Sequence, residues 1–191
     1  MNPENYNSTY PNWPPLVQHG RWVYGVWIIG NNYRSKHKYY GEYPPTYLAR
    51  MRALFPDARR VLHLFSGVVD KGLWPYEKTL DIQTPDDYPE HIPDYICDAH
   101  EMSEHIDEKF DLILADPPYS EEDASHYGTP MINRNRVVKE CAKVLDKGGY
   151  LVWLDQVFPM FSKKELELVG TIGLIRSTNH RVRTAFIFKR V

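Results

Sequence analysis

The segment Asp111–Ser120, DLILADPPYS, limits the possible folds more than any other part of the chain. Leu112, Ile113, Leu114 and Ala115 run into an acid, two prolines and a tyrosine. A short apolar run bounded by turn signals reads as a buried strand, and its length favours strand over helix. Proline lacks the N–H that a ladder needs, so the strand is expected to stop at Asp116. A carboxylate and an aromatic ring then stand at the carboxyl end of a buried strand. In open α/β sheets that is where ligands bind.

The chemistry this suits is transfer onto an exocyclic amine. The Asp116 carboxylate and the Pro117 carbonyl are acceptors only, so both can take hydrogen bonds from an –NH2 group and free its lone pair for an electrophile. Tyr119 can stack on a planar base taken out of its helix. Asp116-Pro117-Pro118-Tyr119 resembles the signature of S-adenosylmethionine-dependent amino-methyltransferases, above all the adenine-N6 DNA enzymes. A proline-terminated strand with a packed tyrosine is the plainer reading of the same residues.

Three upstream strand ends extend the resemblance. Arg60–Gly67, RVLHLFSG, reads as a first strand running into Ser-Gly, where glycine lets the backbone approach a ligand closely. This is similar to the cofactor loop of class I methyltransferases, although His63 and Val69 stand where that family has an acid and a second glycine. Asp70 is a candidate replacement for the acid. Lys78–Ile82 is the second strand, and Asp81 at its end can accept bonds from both ribose hydroxyls. Tyr95–Ala99 is the third, and the resemblance gives Asp98 the exocyclic amine of the cofactor's adenine. The cofactor set is therefore Leu64, Phe65, Ser66, Gly67, Asp81, Ile82, Asp98, Ala99 and Asp116. The catalytic set is Asp116, Pro117, Pro118 and Tyr119.

Elsewhere the chain offers fewer signals. The links Gly67–Lys78 and Gln83–Asp94 barely reach the length of a parallel crossover and carry Pro75, Pro85, Pro89 and Pro93. The family's first two helices on that face are expected as turns. Helices are expected at Pro44–Phe55 (with Arg50 and Arg52 on its wet face), Met102–Lys109, Asn133–Asp146 and Pro159–Glu167. Gly148-Gly149 supplies a stop for the third. Further strands are expected at Tyr150–Leu154, Leu168–Ile175 and Arg183–Lys189, the last two antiparallel across a turn at 177–180. Arg21–Gly30 is an additional strand candidate, or two short strands meeting at Gly25.

Substrate contacts are expected from Asn31–Gly41, where Arg34, Lys36, His37 and Lys38 stand between Tyr33 and the pair Tyr39 and Tyr40. Charges meet phosphates and rings stack on bases, although a solvated loop has the same composition. The polar loop Ser120–Ile132 reads as a lid, and Arg134 and Arg136 beyond it add charge. The net charge of −2 excludes a chain that is basic all over, not a local nucleic-acid surface. The two cysteines, Cys97 and Cys141, suit reduced thiols in a cytoplasmic protein. No stretch is long and apolar enough for a membrane, and no His/Cys spacing suggests a metal.

The sequence thus implies a Rossmann-like, mostly parallel α/β sheet of seven strands with an antiparallel last pair. Its methyltransferase domain spans 44–191, after an aromatic, Pro/Asn-rich extension at 1–43. The implied reaction is methyl transfer from S-adenosyl-L-methionine to the N6 amine of adenine in DNA, by a monomer or homodimer. Two alternatives stay open: an RNA methyltransferase acting on an exocyclic amine, and a silent nucleic-acid-binding or partner subunit. The first thirty residues carry more aromatic and aliphatic side chains than a tail needs. They are expected to cover the sheet face that the missing helices leave bare.

Overall fold

The structure is a computed structural model that describes residues 1–30, 42–86, 88–177 and 182–191. The expected contacts Arg34, Lys36, Lys38, Tyr39 and Tyr40 lie outside these residues, as does most of the turn at 177–180.

Chain order is α1 (Pro3–Thr9), β1 (Val17–His19), β2 (Trp22–Ile29), α2 (Tyr47–Leu54), β3 (Arg60–Leu64), β4 (Tyr76–Asp81) and β5 (Tyr95–Ile96). After a 3-10 turn at Met102–Glu104 come β6 (Phe110–Ala115), α3 (Glu121–His126), α4 (Arg134–Val144), β7 (Leu145–Asp155), β8 (Leu166–Arg176) and β9 (Val182–Arg190). Among the described residues nine strands form one sheet, ordered β1-β2-β8-β9-β7-β6-β3-β4-β5.

Seven of these are the expected strands, and β9 runs antiparallel to both β7 and β8. The strand count is corrected from seven to nine by the N-terminal segment. β2 pairs in parallel with β8 from Val23↔Gly170 to Ile29↔Arg176, and β1 folds back on β2. β2 is one strand running unbroken through Gly25, with period-2 burial. Val23, Trp27 and Ile29 are buried, while Trp22, Tyr24, Val26 and Ile28 are exposed.

Strand alternation sends Val61, Leu112, Leu114, Val152 and Leu154 to one face, where they pack with Tyr6, Trp27, Tyr47, Met51 and Leu54. The links after β3 and β4 contain no helix among the described residues, and α1 and α2 cover the face in their place. Asn2 N–H donates to the Leu54 carbonyl at 2.7 Å, and Asn5 Nδ2 to that of Ala53 at 2.7 Å. Tyr6 stacks on Trp27 at 5.4 Å. Leu62, Leu64, Ile113 and Ala115 face the other way, against Val137, Val138 and Cys141 of α4.

Several expected elements differ. Arg50 is not on a wet face. It is 3% exposed, its guanidinium 3.8 Å from the Trp13 ring centroid and 5.4 Å from that of Trp27, and it donates to the Ile28 carbonyl at 3.2 Å. The N-terminal aromatics that cover the sheet also cover this arginine. The segment Met102–Lys109 makes only a 3-10 turn. No helix forms at Pro159–Glu167, because Leu166 onward pairs with β9 and Phe158 and Phe161 pack on Phe186 and Phe188. Strand pairing and aromatic burial override the local helical pattern there.

Gly149 is inside β7 rather than a helix stop. A Cβ there would lie 3.0 Å from the Asp111 carbonyl oxygen, so glycine lets β7 approach β6 without pushing that backbone aside. At the open end of the sheet, Asp94 replaces a crossover helix as the fastener. Its carboxylate accepts from Thr79 N–H, Thr79 Oγ1, Lys71 and Lys78. Burial alone would raise it, but these donors hold it at about 2. No helix among the described residues is long and apolar enough to cross a membrane, and none of their His, Cys, Asp and Glu side chains cluster as a metal site. Both cysteines are free.

Candidate active site

The carboxyl ends of β3, β4, β5 and β6 meet at one edge of the sheet. After β3 the backbone turns sharply, with Phe65 at φ 60° and Gly67 at φ 49°. A left-handed phenylalanine is strained, and such strain persists only where the surroundings fix it. Here Asp81 supplies part of that restraint: its carboxylate accepts from Gly67 N–H at 2.8 Å and from Ile82 N–H at 2.8 Å. Burial still leaves its acid raised above the ordinary range.

Asp98 just past β5 is held differently. It accepts from the His100 backbone N–H at 2.9 Å and pairs with His100 Nδ1 at 2.6 Å. Burial opposes its ionisation, but the His100 bonds outweigh burial and leave it lowered. The other ring nitrogen of His100 accepts from Asn133 N–H at 2.9 Å. One histidine therefore ties the β5 end to the start of α4, and fixes its own tautomer.

Between these ends opens a cleft of about 840 Å³, its mouth included. Phe65, Gly67, Asp81, Ile82, Asp98, Ala99 and Asp116 of the expected cofactor set line it. Leu64 and Ser66 do not; both are buried behind the loop, and the Leu64 carbonyl instead meets Asp116 N–H at 3.5 Å. Asp70 is exposed and away from the cleft. At the position of the family's acid, buried His63 pairs with buried Glu77 at 3.1 Å. The segment expected as a lid contains α3, capped by Ser120, and then contributes Tyr127, Thr129, Pro130 and Ile132 to the cleft wall.

The Asp-Pro-Pro-Tyr turn forms one corner. β6 stops at Ala115, one residue earlier than expected, Pro117 is buried, and Pro118 lines the cleft. The Tyr119 hydroxyl donates to Asp116 Oδ1. Burial raises the Asp116 carboxyl to about 6, against the pull of Arg183 and the Tyr119 bond, with Asp155 and Asp123 adding to the rise. The Arg183 guanidinium lies 4.2 Å from the Tyr119 ring centroid. A base stacking on Tyr119 therefore has one ring face at most. From the α2 side, the Tyr43 hydroxyl donates to the Leu114 carbonyl at 3.0 Å. Burial and then Asp116 raise both Tyr43 and Tyr47 well above the usual phenol value.

Arg134 and Arg136 are both bonded within the chain. Arg134 Nε donates to Asp155 at 2.7 Å and its Nη2 to the Tyr119 carbonyl at 3.0 Å, so it braces the signature turn. Arg136, about half exposed, donates to the His100 carbonyl at 3.1 Å and to Glu101 at 3.0 Å. Sequence reasoning missed Asp155, His100 and Arg183. His100 had a signal, because an aspartate two residues upstream often captures a following N–H. Arg183 had none: its strand brings it to the site from near the far end of the chain.

No protein-family model matches the sequence, and no curated protein matches it. The fold does have solved relatives. TrmN from Thermus thermophilus superposes with a TM-score of 0.55 at 14% identity, over 78% of this chain and 49% of that one. The chain thus spans about half the length of that structure. The N-methyltransferase NodS from Bradyrhizobium japonicum WM9, in complex with S-adenosyl-l-homocysteine, gives 0.46 at 11% identity over 73% and 83% of the two chains. An rRNA methylase from Streptococcus thermophilus gives 0.43 at 8% identity over 70% and 87%. The chain thus shares with TrmN a Rossmann-like, mixed α/β sheet fold.

Proposed function

We propose that this protein transfers a methyl group from S-adenosyl-L-methionine to an exocyclic amine of a nucleobase, the N6 amine of adenine in DNA being the first substrate to test. The observation that carries the reading is that Asp116, an acceptor just past the end of β6, borders the same cleft as Asp81 and Asp98. Two carboxylates with apolar walls at Ile82, Pro130 and Ile132 fit an adenosine, which needs acceptors for its hydroxyls and amine and flat contact for its ring. When bound, the cofactor supplies an electrophilic sulfonium methyl.

The chain's own contribution is position. Asp116 and the Pro117 carbonyl accept the amine hydrogens and turn the nitrogen lone pair toward the cleft. Tyr119 holds the carboxylate through its hydroxyl, and Arg134 holds the turn through the Tyr119 carbonyl. Alignment of this kind is worth on the order of 7–11 kcal/mol at best. Residues 44–191 form the catalytic unit in this reading and 1–43 its extension, of which residues 1–30 widen and cover the sheet.

Transfer of label from S-adenosyl-L-methionine to DNA, rRNA and tRNA tests the proposal. Label in the N6 position of DNA adenine, lost in Asp116→Ala, is the expected result. Label in RNA alone moves the substrate to RNA, and no binding of cofactor by the wild type favours a silent subunit.

A further inference from the structure

Asp116 has an unusual set of neighbours. On its own turn, Tyr119 donates to it. From β7 and α3 come the negative charges of Asp155 and Asp123, and from the α2 side the phenols of Tyr43 and Tyr47. Asp155 is already bonded by Arg134, by Trp153 Nε1 at 3.1 Å and by two backbone N–H groups. Against these, Arg183 at the start of β9 is the cation whose pull lowers the Asp116 acid.

Arg183 itself is built into the site on the Tyr119 ring. Its guanidinium rests on the Tyr119 ring, its Nε is buried with no hydrogen-bond partner, and no carboxylate among the described residues forms an ion pair with it. A guanidinium is planar and delocalised, and stacks on an aromatic face as an ammonium does not. Its position is therefore set by stacking rather than by a direct ion pair.

We propose that Arg183 is a positioning residue for amine transfer: laid on Tyr119, it is the fixed countercharge that keeps the Asp116 carboxylate ionised and aimed at the substrate amine. The proposal rests on the methyl-transfer reading for its purpose, but not for its chemistry. A protonated Asp116 would offer an O–H to the amine nitrogen and tie up the lone pair that the transfer needs. Without a nearby cation, burial and two flanking carboxylates would favour that protonated form at neutral pH. Arg183 is also placed to keep the Tyr119 ring from turning, since the ring is held at its hydroxyl by Asp116 and on one face by the guanidinium.

The test follows the Asp116 carboxyl by NMR in the full chain, identified by its loss in Asp116→Asn, alongside the pH profile of methyl transfer. In Arg183→Gln its midpoint should move up from about 6 by roughly one to three pH units, the usual effect of an opposite charge at close range. The acid limb of the rate should move with it, with the rate recovering at higher pH. Arg183→Lys should keep the midpoint near that of wild type. A merely structural arginine would lower activity at every pH and leave the midpoint where it was, and that result overturns the proposal.

Should Arg183→Gln fail to fold, the wild type still decides. The Arg183 Nε–H resonance should shift with the Asp116 midpoint and stop shifting in Asp116→Asn; a flat resonance overturns the proposal. If no methyl acceptor is found, the carboxyl titration still reads the coupling, so failure of the activity reading and failure of this inference are separable.

Discussion

Tyr119 closes the Asp-Pro-Pro-Tyr turn onto itself by donating its hydroxyl to the Asp116 carboxylate. The sequence alone makes Tyr119→Phe look harmless, because a stacking ring would survive it. The bond reverses that expectation. A hydrogen bond to a charged group is worth about 1.5–3 kcal/mol, so Tyr119→Phe should slow transfer by roughly 10- to 100-fold near neutral pH. Initial rates with labelled cofactor measure it; a wild-type rate would return Tyr119 to a purely stacking role.

Asp116 should also cost the fold stability. Its acid is raised to about 6, from an ordinary value near 3.8, chiefly by burial. Between those two pH values the native state binds more protons than the unfolded chain, so stability falls as pH rises through the window and then levels off. Asp116→Asn removes the charge. It should be inactive yet more stable than wild type by about 1–3 kcal/mol above pH 7, the advantage vanishing near pH 4. Urea midpoints at several pH values measure it, and equal midpoints at pH 8 would contradict the burial argument.

What could be read from the sequence was whatever lies close along the chain. The strand ends at Gly67, Asp81, Asp98 and Asp116 announce themselves through local punctuation, and all four border the cleft. Contacts across the sheet do not. Arg50 reads as a surface arginine until Trp13 and Trp27 are folded over it, and β2 becomes a sheet strand only because β8 offers it a ladder. Pro159–Glu167 has a passable helical pattern, yet its last residues are claimed by β9. Arg134 and Arg136 looked like phosphate ligands because charge is visible in sequence and its partners are not.

Those two arginines separate cleanly by burial. Asp155 is fully buried, and Arg134 is the cation bonded to it. Arg134→Ala strands that carboxylate and should destabilise the protein by about 3–5 kcal/mol. Arg136 and Glu101 are both about half exposed, so Arg136→Ala should cost under about 1 kcal/mol. Neither variant should change the salt dependence of nucleic-acid binding once the folded fraction is matched. Denaturant titration and a filter-binding series check both halves.

Asp81 and Asp98 should not contribute equally to cofactor affinity. Asp81 holds the strained Phe65–Gly67 loop through Gly67 N–H, as well as facing the cleft, whereas Asp98 is held by His100. Asp81→Ala should lose about 1–3 kcal/mol from lost bonds and more from loop disorder. Asp98→Ala should lose less. Calorimetry with S-adenosyl-L-methionine gives both values, and an inverted order would mean the loop does not depend on Asp81.

The N-terminal segment offers the strongest stability prediction. α1, the residue just before β1, and β2 supply Tyr6, Leu16, Val23, Trp27 and Ile29, each at most 3% exposed, to the face that also holds Val61, Leu114 and Val152. Deleting Met1–Gly30 would uncover that face and leave β8 an open edge from Gly170 to Arg176. An unpaired apolar edge is a template for aggregation, so the truncated chain should be insoluble. Two point variants on one strand give a gentler version of the test. Trp27 is fully buried between Tyr6 and Tyr47, and Trp27→Ala should cost about 3–5 kcal/mol. Trp22 points to the opposite face and is 40% exposed, so Trp22→Ala should stay within roughly 0.5–1 kcal/mol. Urea midpoints of the two variants decide the matter: if Trp27→Ala unfolds where wild type does, the arm does not hold the sheet together.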